Sequence, residues 1–169
     1  MAHTPKNTIK SRKIAILAAG GADTNAITQM KKALKDAGAM AEIISPKYGQ
    51  ISAGKGNGLS VDKSLMTVAS VLYDAVYLPG GKESVQALAK EADAIHFINQ
   101  AYKHCKAIAF DPEALDLINK TNIGGLMKDN QNLPGLISNK SKEQIPKLFI
   151  KAIAQHRFWE RENMPKVPA

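Results

Sequence analysis

Short apolar runs alternate with segments of helical periodicity along this chain. The runs lack polar alternation, as expected of parallel strands that are buried on both faces, and they span residues 13–18, 40–45, 75–78 and 106–110. Between them, residues 24–37 and 92–104 repeat apolar side chains every three or four positions, which predicts amphipathic helices. We expect Gly38 to end the first helix in a left-handed C-cap.

Residues 46–63 interrupt this alternation. They contain four glycines and two β-like pieces around Gln50–Ile51 and 59–61, which predicts a β-hairpin excursion at an edge of the sheet. Residues 65–72 fit either a short helix or irregular structure. Residues 84–90 are predicted as another short helix.

The last third of the chain is predicted as loop, strand and helix. Residues 119–132 are polar and loop-like, and residues 133–138 form the last predicted strand. Ser141 and Gln144 have the spacing of a capping box, so we expect a final helix from there to about Glu162. One face of that helix is predicted to carry Ile145, Leu148, Ala152, His156 and Trp159.

Strands that alternate with helices predict an α/β fold with a doubly wound, mostly parallel sheet and helices on both faces. Residues 1–12 are polar and basic and are predicted to be a flexible arm or linker remnant, followed by one domain over residues 13–169. Ligands of such folds bind at the carboxyl ends of the strands. We expect three loops to meet there, at residues 19–23, 79–82 and 110–113.

The formal charge of +8 raises the possibility of nucleic-acid binding, but the composition argues against it. Of the 23 basic residues 20 are Lys, whereas Arg is the usual reader of bases and phosphates, and aromatic residues make up only 5%. No apolar run approaches the ~20 residues of a membrane span, and the start lacks the apolar core of a signal peptide. With a single cysteine, these features predict a cytoplasmic protein that binds neither membranes nor specific nucleic acids.

The turn that follows the fourth apolar run is the position at which many α/β enzymes hold a nucleophile. Here it reads Phe110-Asp111-Pro112 and offers neither Ser nor Cys. Gly80 and Gly81 could direct two backbone N–H groups toward an anion or an oxyanion, although a tight turn that needs glycine is the interpretation we favour. Asp23 and Asp111 could form a pair of carboxylates, or each could cap the helix that follows it, which we favour.

Cys105 ends a predicted helix on its apolar face, so we expect a buried, inert thiol and no Cys/His enzyme. The four histidines have no metal-site spacing, and we find no zinc, haem-attachment or P-loop motif. His156, Arg157 and Trp159 lie close together in sequence and are predicted to pack or to bind a partner surface.

Three stretches together resemble a known family. They are Tyr-Asp-Ala-Val-Tyr-Leu-Pro-Gly-Gly at 73–81, Ala-Tyr-Lys-His-Cys-Lys-Ala-Ile-Ala at 101–109, and His-Arg-Phe-Trp at 156–159 with the closing Pro-Lys-Val-Pro-Ala. They resemble the C-terminal domain of large-subunit haem catalases over roughly residues 12–169. That domain is similar to the PfpI-type protease and class I glutamine amidotransferase superfamily, which implies a flavodoxin-like sheet.

The resemblance also implies which activities to expect. The haem-binding catalase core has no counterpart in this sequence, so we expect no haem and no peroxide chemistry from the chain itself. In active members of the superfamily a Cys lies on the turn and a Glu follows the first strand; the matching positions here hold Ala109 or Phe110, and Asp23. The resemblance therefore implies a vestigial pocket formed by Asp23, Gly80, Gly81, Ala109, Phe110 and Asp111.

Three functional hypotheses follow. The first is a non-catalytic domain that acts through its surfaces, by binding a catalase core, by self-association or by chaperone-like binding of unfolded polypeptides. The second is a small-molecule hydrolase or glyoxalase-like enzyme with an atypical site that uses Asp23 and Asp111. The third is an anion binder that uses the amides of Gly80 and Gly81.

Overall fold

A computed structural model describes residues 7–52, 58–129 and 133–164. The strands are β1 Lys13–Leu17, β2 Met40–Ser45, β3 Gln50–Ile51, β4 Leu59–Ser60, β5 Lys63–Ser64, β6 Ala75–Leu78, β7 Ala107–Phe110 and β8 Leu136–Ile137. The helices are α1 Thr24–Asp36, α2 Lys82–Leu88, α3 Ala92–Lys103, α4 Leu115–Lys120, α5 Asn122–Asp129 and α6 Ile145–Ala154. Short 3-10 turns lie at Leu65–Thr67, Ser70–Leu72, Pro112–Ala114, Lys142–Gln144 and Trp159–Asn163.

Six strands form one sheet in the order β5-β2-β1-β6-β7-β8, and each neighbouring pair is parallel. Side chains along each strand alternate between two apolar layers because successive residues point to opposite faces. Ile14 and Ile16 of β1 pack in the layer that contains α1 and α6. Ala15 and Leu17 pack in the layer that contains residues of α2, α3, α4 and α5. The predicted doubly wound, flavodoxin-like α/β fold is confirmed.

The predicted hairpin is also confirmed, as the antiparallel pair β3 and β4. It forms a separate two-stranded sheet, and β5 occupies the edge of the main sheet instead. Residues 65–72 form two 3-10 turns, and α2 begins two residues before the predicted position. Among the described residues, no helix is long and apolar enough to cross a membrane.

Three helices end in the same way, with one residue in the left-handed conformation. Gly38 has φ +83° after α1, as predicted, whereas Cys105 has φ +57° after α3 and His156 has φ +72° after α6. The N–H of each donates to a carbonyl three residues earlier, at 2.9 Å for Gly38, 3.0 Å for Cys105 and 2.9 Å for His156. After Gly38 and Cys105, the next N–H donates to the carbonyl five residues earlier, which completes a Schellman C-cap. After His156, the N–H of Arg157 donates to the carbonyl of Gln155 instead. Glycine is the usual residue at the left-handed position.

Three predictions for the last third of the chain are wrong. Ser141 forms no capping box, because its side chain makes no cap hydrogen bond and α6 begins only at Ile145. Residues 122–129 form α5 rather than a loop, because Ile123 is fully buried and its apolar packing outweighs the helix-breaking tendency of Gly124 and Gly125. The final helix ends at Ala154 and not near Glu162, because the chain turns at His156.

The predicted apolar face of the final helix is consequently wrong in part. Phe149 and Ile153 are buried alongside the predicted Ile145 and Ala152. In contrast, Leu148 is 38% exposed and Trp159, beyond the end of the helix, is 53% exposed.

The described part of the N-terminal arm packs on the domain. Ile9 is only 2% exposed and belongs to the layer of α1 and α6. The N–H of Ser11 donates to the carbonyl of Gly38 at 2.9 Å, and the N–H of Met40 donates to the carbonyl of Arg12 at 2.8 Å. Residues 1–6, the rest of the predicted arm, lie outside the described residues.

Arg161 joins three segments beneath the amino end of the sheet. Arg161 is only 5% exposed, and its guanidinium donates to the carbonyls of Pro134 at 2.6 Å, Lys106 at 2.8 Å and Tyr102 at 3.3 Å. It also lies 4.2 Å from the ring centroid of Tyr102. The segment before β8, the start of β7 and the end of α3 are therefore held by one side chain.

Substituting Arg161→Lys should lower the free energy of unfolding by about 2–4 kcal/mol, because an ammonium cannot reach three divergent carbonyls and leaves buried acceptors unpaired. Urea unfolding followed by circular dichroism measures the change. The matched control is Arg157→Lys. The guanidinium of Arg157 has one described hydrogen bond, to the carbonyl of His156, so this substitution should lower the free energy of unfolding by under about 1 kcal/mol. Equal effects of the two substitutions would contradict this role of Arg161.

Candidate functional site

The three loops predicted to meet at the carboxyl end of the sheet do so. The N–H of Asp23 donates to the carbonyl of Gly80 at 2.9 Å, which joins the loop after β1 to the loop after β6. The N–H of Asp111 donates to the carbonyl of Leu78 at 3.0 Å, which joins the end of β6 to the turn after β7.

Asp111 lies at the centre of this region and is only 1% exposed. One carboxylate oxygen accepts the hydroxyl proton of Tyr77 at 2.9 Å, and the other accepts the N–H of Gly80 at 2.8 Å. Burial raises the pKa of the Asp111 carboxyl, and the bonds from Gly80 and Tyr77 oppose that shift. The side chain does not cap the following helix, so the expectation of a cap is wrong for Asp111.

Asp23 does cap α1, as predicted, because one of its carboxylate oxygens accepts the N–H of Ala26 at 3.0 Å. The other oxygen lies 3.2 Å from Nζ of Lys142. Burial raises the pKa of the Asp23 carboxyl, but the hydrogen bonds from Ala26 and Lys142 outweigh it, and the net pKa is lowered. Asp23 is therefore paired with a cation rather than sharing a proton with Asp111.

Glu113 and Lys142 complete the group, and the sequence analysis missed both. One carboxylate oxygen of Glu113 accepts the N–H of Gly81 at 2.9 Å, and the other lies 2.9 Å from Nζ of Lys142. The hydrogen bonds from Lys142 and Gly81 lower the pKa of Glu113. Glu113 could have been found from its place in the turn after β7, whereas nothing in the sequence indicates Lys142.

The two amides that could have held an anion are thus occupied by carboxylates of the chain itself. The N–H of Gly80 is bonded to Asp111, and the N–H of Gly81 is bonded to Glu113. Gly81 has φ +110°, and a Cβ there would lie 2.3 Å from the carbonyl oxygen of Gly21. This turn requires glycine for conformation and close packing, without reference to a ligand.

The positions that the sequence resemblance matches to a nucleophile, Ala109 and Phe110, carry no reactive group. Ala109 is fully buried in the layer of α1 and α6, and Phe110 is 4% exposed and packs in the opposite layer. Neither Ala109 nor Phe110 has a positive φ, whereas a nucleophile on such a turn is held in a strained conformation. The nearby hydroxyl of Ser84 accepts the N–H of Ala19 at 2.8 Å and is buried.

The other predicted functional residues lie at the opposite, amino end of the sheet. Cys105 is 1% exposed, and burial raises the pKa of its thiol, as expected of an unreactive cysteine. His156 is half-buried, its Nδ1 has no hydrogen-bond partner among the described residues, and burial lowers its pKa. Arg157 is half-buried beside it, and Trp159 is exposed.

Lys106 is a buried cation at this same end, and the sequence analysis did not single it out. It is 3% exposed, and its Nζ donates to the carbonyl of Ser70 at 2.5 Å. Burial, followed by the charge of Arg157, lowers its pKa to about 8. Across residues 7–52, 58–129 and 133–164, no three His, Cys, Asp or Glu side chains are grouped as metal ligands.

Comparisons with known proteins find similarity to one domain of long catalases. The family model described as the C-terminal domain found in long catalases matches residues 10–163. Catalase HPII of Mycobacterium avium is 36% identical over 172 residues, which cover 96% of this chain and 24% of that protein. Catalase-2 of Bacillus subtilis (strain 168) is 36% identical over 157 residues, which cover 91% of this chain and 21% of that protein. The chain spans about a quarter or less of the length of these relatives.

Substituting Asp111→Ala should lower the free energy of unfolding by about 3 kcal/mol, because it leaves the Gly80 N–H and the Tyr77 hydroxyl buried without an acceptor. Tyr77→Phe should cost about 1–2 kcal/mol, since Asp111 loses one of its two donors. Urea unfolding of both single variants and the double variant measures these costs. The double variant should be more stable than the sum of the single costs predicts, and strict additivity would contradict direct coupling of the pair.

Cys105 should react slowly with a thiol reagent in the folded protein and rapidly in concentrated urea, because its thiol is buried and its pKa is raised. A chromogenic disulfide reagent measures both rates. As a matched control, Lys128→Cys combined with Cys105→Ser introduces a thiol at an exposed helical position, which should label at the rate of a free cysteine. Equal rates for the two thiols in the folded protein would contradict the buried, inert assignment.

Proposed function

The chain belongs to the family of C-terminal domains found in long catalases, and from this membership we propose that it is a non-catalytic domain that acts through its surfaces. In this proposal it stabilises a haem-containing, peroxide-decomposing core, strengthens assembly of that enzyme in the cytoplasm, and takes no part in the chemistry. The observation that carries the proposal is the self-occupied turn, in which Asp111 and Glu113 fill the amides of Gly80 and Gly81.

The same site gives little support to a hydrolase or glyoxalase-like enzyme. Such an enzyme would need a nucleophile or a shared proton in the crevice, but Ala109 and Phe110 have no group that can attack. Asp23 caps α1 and pairs with Lys142, while Asp111 bonds to Tyr77 and Gly80. An anion binder that uses the two glycine amides would first have to displace two carboxylates from them.

Exposed apolar side chains support a role in binding other polypeptides. Met66 is 84% exposed, Val71 is 76% exposed and Leu72 is 55% exposed, all within one irregular segment that precedes β6. Clustered exposed apolar groups mark interaction sites on proteins more often than scattered ones do. We assign to these three residues, named here the apolar segment, the contact with a catalase core or with unfolded chains.

Replacing the matched segment of the Mycobacterium avium Catalase HPII with this chain should preserve the thermal stability of peroxide decomposition, whereas deleting the segment should lower it. The temperature of half-inactivation and the assembly state, measured by light scattering, are the readouts. The isolated chain should decompose no peroxide. Activity of the isolated chain, or a deletion without effect on stability and assembly, would overturn the proposal.

The replacement experiment also tests the apolar segment. A version that carries Met66→Ser and Val71→Ser should restore less stability than the unaltered chain, because the exposed methyl groups would no longer be buried against the core. Leu115→Ser, at a 39% exposed position of α4, is the matched control and should behave like the unaltered chain.

A further inference from the structure

We propose that Arg157 and Trp159 form a docking site for a carboxylate-bearing segment of a partner polypeptide, at the amino end of the sheet. This inference rests on the proposed function, because it assumes that the domain acts through its surfaces. It goes beyond that function in naming the chemistry of the partner and the side chains that recognise it.

The site is a cavity of about 370 Å³ lined by Gln155, Arg157, Trp159 and Glu160. It lies just beyond the end of α6, where the left-handed turn at His156 redirects the chain into the 3-10 turn Trp159–Asn163. Trp159 is 53% exposed, so its ring can still lose accessible surface to a ligand. This volume accommodates a carboxylate side chain together with one apolar neighbour on the indole.

Arg157 has hydrogen-bonding capacity to spare. A guanidinium has five N–H donors, and among the described residues one of those of Arg157 forms a hydrogen bond, to the carbonyl of His156 at 2.9 Å. The carboxylate that influences it, Asp74, is already bound by Arg12 at 3.3 Å and by the N–H of Lys13 at 2.9 Å. Among the described residues, no acid lies within ion-pair distance of Arg157.

No acid in the described part of the chain forms an ion pair with the neighbouring cation, Lys106. Lys106 donates to the carbonyl of Ser70 and feels the positive charge of Arg157, which adds to the effect of burial on its pKa. An incoming carboxylate would be attracted by both cations and would offset the repulsion between them. Glu160 at the rim of the cavity opposes this attraction, so the site should bind an acid less tightly than it would with a neutral residue there.

The positions of the three arginines support recognition of a carboxylate at this end of the sheet. The chain has 23 basic residues and only three arginines, yet Arg12, Arg157 and Arg161 all lie at this end of the sheet. A guanidinium binds a carboxylate through two parallel hydrogen bonds, which an ammonium cannot do. Arg and Trp are also the residues that contribute most often to the energetic centres of protein interfaces. A net charge of +8 further favours an acidic partner over a second copy of the chain.

The single tryptophan of the chain provides a reporter within the site. The full chain is titrated with two blocked pentapeptides. The first has one Glu between two Leu, and the second has Gln in place of that Glu. Binding is followed by the fluorescence of Trp159 and by calorimetry. The Glu peptide should bind about tenfold more tightly than the Gln peptide, and high salt should weaken it. Arg157→Gln should remove that preference, whereas Lys128→Gln, the same charge change at an exposed position of α5, should retain it.

Glu160→Gln tests the site in the opposite direction. It should tighten binding of the Glu peptide by about twofold to threefold, since a repulsive charge is lost, and misfolding does not produce a gain in affinity. The inference is overturned if neither peptide binds, if both bind equally, if Lys128→Gln weakens binding as much as Arg157→Gln, or if a short single-stranded DNA binds more tightly than the Glu peptide. Any of these results leaves the replacement experiment unaffected, so the failures of the two proposals can be distinguished.

Discussion

The buried carboxylate of Asp111 constrains the whole carboxyl end of the sheet. A carboxylate that is nearly inaccessible to water must find donors inside the protein. It finds them in the hydroxyl of Tyr77 on β6 and in the N–H of Gly80 in the loop after β6. In the same loop Gly81 has a positive φ, and its N–H donates to Glu113. The loop after β6 and the turn after β7 are therefore held together by bonds within the chain.

The two ends of the sheet therefore differ in their chemistry. At the carboxyl end, the described acids Asp23, Asp111 and Glu113 all have donors, and Lys142 joins two of them. At the amino end, Arg161 donates to three carbonyls, but its Nη2 is buried without a hydrogen-bond partner among the described residues. No described acid forms an ion pair with Arg157 or Lys106. The charged groups that could still bind another molecule therefore lie at the amino end of the sheet. Ligands of this fold usually bind at the opposite, carboxyl end.

The features that could be predicted from the sequence are those governed by nearby residues. The apolar runs of β1, β2, β6 and β7 and the caps of α1 at Asp23 and Gly38 depend on neighbours a few positions away. The prediction of a loop at α5 was wrong because the packing of Ile123 overrides the low helix propensity of Gly124 and Gly125. The end of α6 was missed because His156 occupies a left-handed position that usually holds glycine. The role of Lys142 could not be predicted from the sequence, because it lies 119 positions after Asp23 and only the fold brings the two side chains together.

Both edges of the main sheet are strands of only two residues, β5 and β8. A polypeptide that joins a sheet does so along a row of unpaired backbone groups, and two residues present too few of them to hold it. Growth of the sheet from one molecule into the next is therefore disfavoured at either edge. Association through the main sheet therefore depends on side chains, so a substitution at one surface residue can change the binding partner without altering the backbone pairing.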